Sequence, residues 1–82
     1  MTDLEKRAVT ALRSVKMPEK NWHARRAESL NMLMTLDANR KLDVGQKADL
    51  WFLVWRYRRQ VDDAQLVATA NEIVNGAMSL AF

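Results

Sequence analysis

The sequence predicts an all-α protein, a compact bundle of four helices with the third helix at its centre. Three observations support this prediction. The 82-residue chain has two glycines and one proline, which leaves few residues for the tight turns that connect β-strands. Apolar residues recur every three or four positions through most of the chain, as on one face of a helix. A hydrophobic fraction of 49% is typical of a globular protein, so residues 1–82 are predicted to form one helical domain.

The first helix is predicted over residues 3–16. Thr2 and Glu5 have the spacing of a capping box, in which each side chain accepts a hydrogen bond from the other residue's backbone amide. Pro18 ends the helix because a proline moves the preceding residue out of helical geometry. The apolar stripe of this helix consists of Leu4, Ala8, Leu12 and Val15.

The second helix is predicted over residues 20–36. At about 100° of rotation per residue, one side collects the apolar residues Trp22, Ala27, Leu30, Leu33 and Met34. The other side is polar and consists of Arg25, Glu28, Asn31 and Thr35. His23, the only histidine, lies near the helix start and is interpreted as a helix-edge residue. Residues 37–41 are charged and turn-forming, and are expected to form a loop.

The third helix is predicted over residues 44–60, because Asp43 and Gln46 repeat the capping-box spacing. On a helical projection it has two apolar faces. Trp51 and Trp55 lie on the first face. The second face consists of Leu50, Val54, Tyr57 and Val61. A helix that is apolar on so many sides is normally buried by several neighbours, which predicts its central position.

The fourth helix is predicted over residues 63–75. The carboxylates of Asp62 and Asp63 favour the exposed amides of a helix start. Asn75 and Gly76 are typical of a helix end, since glycine readily adopts the left-handed conformation found there. The buried stripe is expected to be Leu66, Val67, Ala70, Ile73 and Val74. Residues 77–82 are predicted to be an apolar tail that docks into the core or across a dimer seam.

The segment 51–60, WFLVWRYRRQ, combines aromatic and basic residues more densely than the rest of the chain. Its tryptophans fit two interpretations. They belong to the core, where replacement by alanine typically costs about 3–5 kcal/mol, or they anchor an interface, because Trp, Tyr and Arg dominate binding hot spots. A chain with three Trp, two Phe and five Met is hard to cover at this size. We therefore expect at least one exposed aromatic patch.

The arginines of this segment are expected to point in different directions. Arg56 and Arg59 lie near each other, beside the Trp51/Trp55 face. Arg58 lies nearly opposite Arg56, where it has to extend out of the core, pair with a carboxylate such as Glu72, or contact a partner. The residues predicted to bind a partner are Arg25, Arg26, Trp51, Trp55, Arg56 and Arg59.

The sequence lacks the residue patterns of most catalytic and metal sites. It has no cysteine, one histidine, no glycine-rich phosphate loop and no nucleophile motif around its serines. We expect no enzyme activity, no metal and no cofactor. Apolar runs stay below the roughly 20 residues that span a bilayer, and no signal peptide is evident. No membrane association and a cytoplasmic location are therefore expected.

Residues 43–61, DVGQKADLWFLVWRYRRQV, resemble a segment of short uncharacterised proteins from bacteriophages and other mobile elements. In those proteins a turn and a glutamine lead into an aromatic helix that ends in RYRRQ. The match covers 19 of the 82 residues. The resemblance implies a genomic setting in which small proteins inhibit or adapt host proteins, anti-CRISPR proteins among them.

Three functional hypotheses follow. The first is a non-enzymatic protein-binding module, a phage-encoded inhibitor that occludes an acidic site on a host protein. The second is a nucleic-acid-binding accessory protein that uses the same arginines on phosphates, although a net charge of +3 is weak for that role. The third is a structural homodimer in which the apolar tail completes the core of the second copy.

Overall fold

In a computed structural model, the described residues, 1–18 and 21–80, form four α-helices and one 3₁₀ turn, and only the backbone is described for residues 77–80. The helices are α1 (Asp3–Leu12), α2 (Trp22–Leu36), α3 (Val44–Arg56) and α4 (Ala64–Leu80). The 3₁₀ turn, Arg58–Gln60, follows α3. No strand occurs within these described ranges. The predicted all-α fold is therefore confirmed.

The helix starts form as their side chains predict. Thr2 Oγ1 accepts the amide N–H of Glu5 at 3.1 Å, and the Glu5 carboxylate accepts the amide N–H of Thr2 at 2.7 Å. The same reciprocal pair joins Asp43 and Gln46, at 2.7 and 3.0 Å. At the start of α2, Asn21 Oδ1 accepts the amide N–H of His23 at 3.1 Å. Each cap satisfies an amide that the helix itself leaves without an acceptor.

The centre of the bundle is α3, which packs against α1, α2 and α4. Its residues Leu50, Leu53 and Val54 are completely buried. The largest buried side chains come from all four helices: Val9, Leu30, Leu50, Leu53, Val54 and Leu66. The predicted central position of the third helix is confirmed.

Two helices end earlier than predicted. The α1 helix stops at Leu12 rather than residue 16, because the chain tightens before Pro18 into i→i−3 hydrogen bonds, including Val15 N–H to Leu12 O at 3.2 Å. The α3 helix stops at Arg56 rather than residue 60. Tyr57 leaves helical geometry, with φ −109° and ψ 24°, and the 3₁₀ turn follows. The predicted first residue of α2, position 20, lies outside the described residues, and the observed helix begins at Trp22.

The predicted stop of the fourth helix at Asn75 and Gly76 is wrong, because α4 continues to Leu80. Gly76 does not adopt a positive φ. Glycine permits the left-handed conformation of a helix end without requiring it, and the Ala, Met and Leu residues that follow are good helix formers. Residues 77–80, predicted as tail, thus continue the α4 backbone. The docking of the tail and the placement of residues 81–82 lie outside what is described.

Two leucine substitutions distinguish the core of α3 from an exposed helix end. Leu53→Ala should lower the free energy of unfolding by about 2–5 kcal/mol, since it opens a cavity at a fully buried position. Leu36→Ala makes the same chemical change at a residue that is 80% exposed, and should stay within about 0.5 kcal/mol of the parent. Urea unfolding measures both values. Equal losses would contradict the described packing of α3.

A glycine substitution tests the continuation of α4. A Cβ at Gly76 would meet no atom within 4 Å, and alanine is the better helix former. Gly76→Ala should therefore raise the free energy of unfolding by up to about 1 kcal/mol. If Gly76 were instead the left-handed end of the helix, alanine would destabilise the protein. Urea unfolding of parent and variant gives the sign.

Candidate partner-binding surface

An aromatic cluster forms where the start of α2 meets the end of α3. We define the cluster as Trp22, His23, Phe52, Trp55 and Tyr57. The Trp22 ring stacks on the Phe52 ring with centroids 5.6 Å apart and planes 23° apart, and Phe52 contacts Trp55 at 6.1 Å. The His23 ring meets Trp22, Phe52 and Tyr57 edge-on at 4.5, 5.6 and 5.5 Å. Three ring contacts thus join the first turn of α2 to α3 and to Tyr57 at its end.

Solvent exposure differs among the residues of the cluster. Tyr57 is buried, Phe52 and Trp55 are half-buried, and Trp22 keeps 48% of its surface exposed. Removing so large an apolar side chain from water on binding a partner is favourable. The exposed aromatic patch expected from the sequence is therefore present, and Trp22 is its outermost member.

His23 holds the buried end of the cluster. Its Nδ1 atom lies 2.7 Å from Tyr57 Oη, which ties the first turn of α2 to the residue where α3 ends. Burial lowers the pKa of His23 below its ordinary value of 6.5, and the positive charge of Arg56 lowers that pKa further. The neutral imidazole is thus the favoured form, consistent with a structural role as the hydrogen-bond partner of Tyr57.

An arginine cluster, defined as Arg56, Arg58 and Arg59, borders the aromatic cluster. The Arg56 guanidinium lies 5.5 Å from the Tyr57 ring centroid, and the Arg58 guanidinium lies 4.9 Å from the Trp55 ring centroid. All three arginines are exposed. Within the described part of the chain, the ion pairs are Arg7 with Asp63 and Arg26 with Asp49, so no carboxylate neutralises the arginine cluster.

The position of Arg58 differs from the prediction. A continuous helix through residue 60 would place it nearly opposite Arg56, where it extends out of the core, pairs with a carboxylate such as Glu72 or contacts a partner. Because α3 ends at Arg56, the chain turns, and Arg58 lies back over Trp55 while its Nη1 donates to the Trp55 carbonyl oxygen at 2.9 Å. That carbonyl belongs to the last turn of α3, where the intrahelical hydrogen bonds run out. Arg58 therefore caps the helix and covers an aromatic ring.

The other predicted contact residues lie in different environments. Trp51 is only 5% exposed and belongs to the core, so its assignment as a contact residue is corrected. Arg26 pairs with Asp49 across α2 and α3 at 3.1 Å, which neutralises part of its charge. Arg25 is exposed in the first turns of α2. Trp55 and Arg56 lie in the last turn of α3, and Arg59 lies in the 3₁₀ turn that follows.

The sequence prediction missed Trp22 and Phe52 as members of the surface. Trp22 was placed on the buried side of the second helix, yet the start of α2 extends to the edge of the bundle. Phe52 lies three residues before Trp55 and four after Ala48, so these side chains share one side of α3. That spacing was visible in the sequence. The stacking partner on α2 was not, because it depends on how the two helices meet.

The surface offers apolar contact, aromatic stacking and positively charged hydrogen-bond donors. Among the residues described, no three His, Cys, Asp or Glu side chains come together as a metal-ligand set. None of the helices in the described ranges has both the length and the apolar character of a membrane-spanning segment. Comparisons of the chain with protein-family models, curated proteins and solved structures found no match.

The depressed pKa of His23 predicts a pH dependence of stability. Above about pH 6.5 the unfolded chain carries a neutral histidine, as the folded protein does. As the pH falls through that value, the unfolded chain gains a proton before the folded protein does, so the free energy of unfolding should fall. Urea unfolding between about pH 7.5 and 5 should show this fall in the parent and a smaller one in His23→Gln.

The same effect is observable at the imidazole itself. The chain has a single histidine, so its ring proton signals in an NMR titration report His23 directly. The parent should titrate below 6.5, and Arg56→Gln should raise the pKa because it removes a neighbouring positive charge. A pKa above 6.5 in the parent would contradict the described environment of the ring.

Proposed function

We propose that the protein is a non-enzymatic binding module that holds an acidic partner protein against its aromatic and arginine clusters. The observation that carries the proposal is Trp22, which lies half-exposed and stacked on Phe52, in an aromatic cluster that is bordered at Tyr57 and Trp55 by arginines that no described carboxylate neutralises. Tryptophan and arginine are the residues most enriched among binding hot spots. In a complex, burial of the tryptophan supplies affinity, and pairing of the arginines with carboxylates of the partner fixes its orientation.

The surface is held in place before a partner arrives. Trp22 stacks on Phe52, and His23 is bonded to Tyr57. Arg58 is held by its cation–π contact with Trp55 and by its hydrogen bond to a helix carbonyl. Binding therefore immobilises few additional side chains, and each one spared avoids an entropy cost of about 0.5–1.5 kcal/mol.

The chemistry of the partner follows from these groups. Arginine guanidinium groups bind carboxylates through two parallel hydrogen bonds, and the exposed Trp22 ring requires an apolar recess. An acidic surface that contains such a recess fits both requirements. The module would act by covering that surface and blocking its use by other molecules.

The resemblance of residues 43–61 to short phage proteins adds a biological setting to this proposal. In that setting the partner is a host protein, the module is an inhibitor or adaptor of the anti-CRISPR kind, and the two meet in the host cytoplasm. The acidic surface would be one on which the host protein depends. The contact residues are Trp22, Phe52, Trp55, Arg56 and Arg59, with Arg25 at the margin.

Nucleic acid binding is a second candidate, supported by the arginine cluster that borders the aromatic cluster at Trp55 and Tyr57. An exposed aromatic ring beside arginines stacks bases and contacts phosphates in single-stranded nucleic acid binders. The pairing of Arg26 with Asp49 reduces the charge available for such a track. Binding of this kind would weaken steeply with added salt.

Capture from a lysate of the cells that carry the gene tests the proposal. Trp22→Ala should weaken capture of a specific protein by at least about 2 kcal/mol, or roughly thirtyfold. Arg56→Glu with Arg59→Glu should abolish it by placing acidic groups against an acidic surface. The matched control is Lys6→Glu with Arg13→Glu. It changes the net charge by the same amount, but at one residue of α1 and at the residue that follows α1, so it should leave capture intact.

The proposal is wrong if the arginine double variant retains every specific protein that the parent captures. Mobility-shift assays with single-stranded DNA and RNA at low salt address the second candidate. A shift that disappears in the arginine double variant and persists in the control pair would favour nucleic acid over protein. No shift at low salt would remove that candidate.

A further inference from the structure

Among the described residues, one side of α3 is left uncovered by the other helices, and its exposed residues continue the aromatic cluster along the helix. We define the α3 lane as Val44, Ala48, Phe52 and Trp55, which follow one another at intervals of four, four and three residues. Such intervals form a single row on a helix surface. Val44 is 85% exposed, Ala48 is exposed, and Phe52 and Trp55 are half-buried.

The lane has the dimensions of a short helix. From Val44 to Trp55 the rise is about 16 Å at 1.5 Å per residue, which is three helical turns. On its α4 side, Val44 and Ala48 share a shallow groove of about 290 Å³ with Lys47, Trp51 and Ile73. The groove gives the lane a concave edge at the end far from Trp22.

The α2 side of the lane is bordered by a charged pair and by Trp22. The Arg26–Asp49 ion pair lies beside the middle of α3, and Trp22 stacks on Phe52 near its end. The centre of the lane is therefore apolar, and the Asp49 carboxylate beside it is already paired with Arg26. An occupant gains apolar contact along the middle and no charge contact there.

Both ends of the lane are basic. Arg56, Arg58 and Arg59 lie at the Trp55 end, and Lys47 lines the groove at the Val44 end. Asp43, next to Val44, keeps its negative charge while it caps α3, but Lys41 and Lys47 line one pocket beside it, so the lysines outnumber this carboxylate at that end. An occupant with an apolar middle and acidic residues toward its ends therefore complements the lane in both hydrophobicity and charge.

We propose that the α3 lane receives one amphipathic α-helix of the partner, about three turns long, with carboxylates toward both of its ends. This inference rests on the function proposed above and specifies what the partner presents. Helix-in-groove recognition uses apolar anchors at i, i+3, i+4 and i+7, which match a row spaced like the lane. A β-strand partner would need an exposed strand edge, and the described residues include no strand.

A second copy of this chain is a poorer occupant on electrostatic grounds. Two lanes packed face to face would bring basic ends against basic ends in either orientation. Like charges placed opposite each other across an interface are costly. The inference is therefore a complex with a different and acidic helix.

Selection from a displayed library of random peptides of about 16 residues, long enough for four helical turns, tests the inference without knowledge of the natural partner. The full-length protein is the immobilised target. Enriched peptides should carry apolar residues at i, i+3 or i+4, and i+7, with Asp or Glu toward the ends. The tightest of them, made synthetically, should gain helical circular dichroism when the protein is added.

Substitutions in the lane supply the matched controls. Ala48→Glu should weaken binding of the synthetic peptide at least about tenfold, because it buries an unpaired carboxylate against the apolar middle of the bound helix. Ala68→Glu makes the same change on an exposed position of α4 and should leave affinity unchanged. Val44→Glu is a second lane variant whose new carboxylate lies in the first turn of α3, where it favours the fold. Urea unfolding verifies that each variant is folded.

The outcomes separate this inference from the function on which it rests. Peptides that lack helical spacing, or that bind without becoming helical, overturn the helix inference; if their binding still requires Trp22, the proposed function stands. Peptides unaffected by Trp22→Ala, Ala48→Glu and Val44→Glu count against both. A library without specific binders overturns the inference, while lysate capture decides the proposed function separately. A homodimer in sedimentation equilibrium that Ala48→Glu dissociates would assign the lane to a second copy.

Discussion

The packing of α3 against α1, α2 and α4 is the constraint on which the rest of the structure depends. A chain this short buries only about 60% of the surface it exposes when unfolded, so one helix has to supply most of the shared core. Leu50, Leu53 and Val54 do so. Three neighbours cannot enclose a helix completely, and the side of α3 that remains open carries apolar residues. The same arrangement that stabilises the bundle therefore creates its most distinctive surface.

The end of α3 links that core to the charged residues. Tyr57 is buried and hydrogen-bonded to His23, and its dihedral angles end the helix at Arg56, before Arg58 and Arg59. The 3₁₀ turn then brings Arg58 back over Trp55. Had the helix continued, the arginines would have spread around its circumference. The turn instead places them together at one edge of the aromatic cluster.

The aromatic cluster, the arginine cluster and the α3 lane form one continuous surface with a division of roles. The lane and Trp22 supply apolar area, which determines how much free energy a contact can release. The arginines supply charge, which determines which partners approach and in what orientation. This division of roles is the reason why the proposed partner is acidic and presents apolar residues.

The sequence by itself determined the helical class, the two capping boxes and the central place of the third helix, because these depend on local spacing and on apolar periodicity. Only the tertiary structure decided that Trp51 is buried and Trp22 exposed, since both lie on apolar faces and neighbouring helices cover one and leave the other. The tertiary structure also decided where α3 ends. Tyr57 is hydrogen-bonded to His23 on another helix, and the chain turns after it so that Arg58 lies over Trp55. Contacts between residues far apart in the chain decided these features, and periodicity along a single helix carries no information about them.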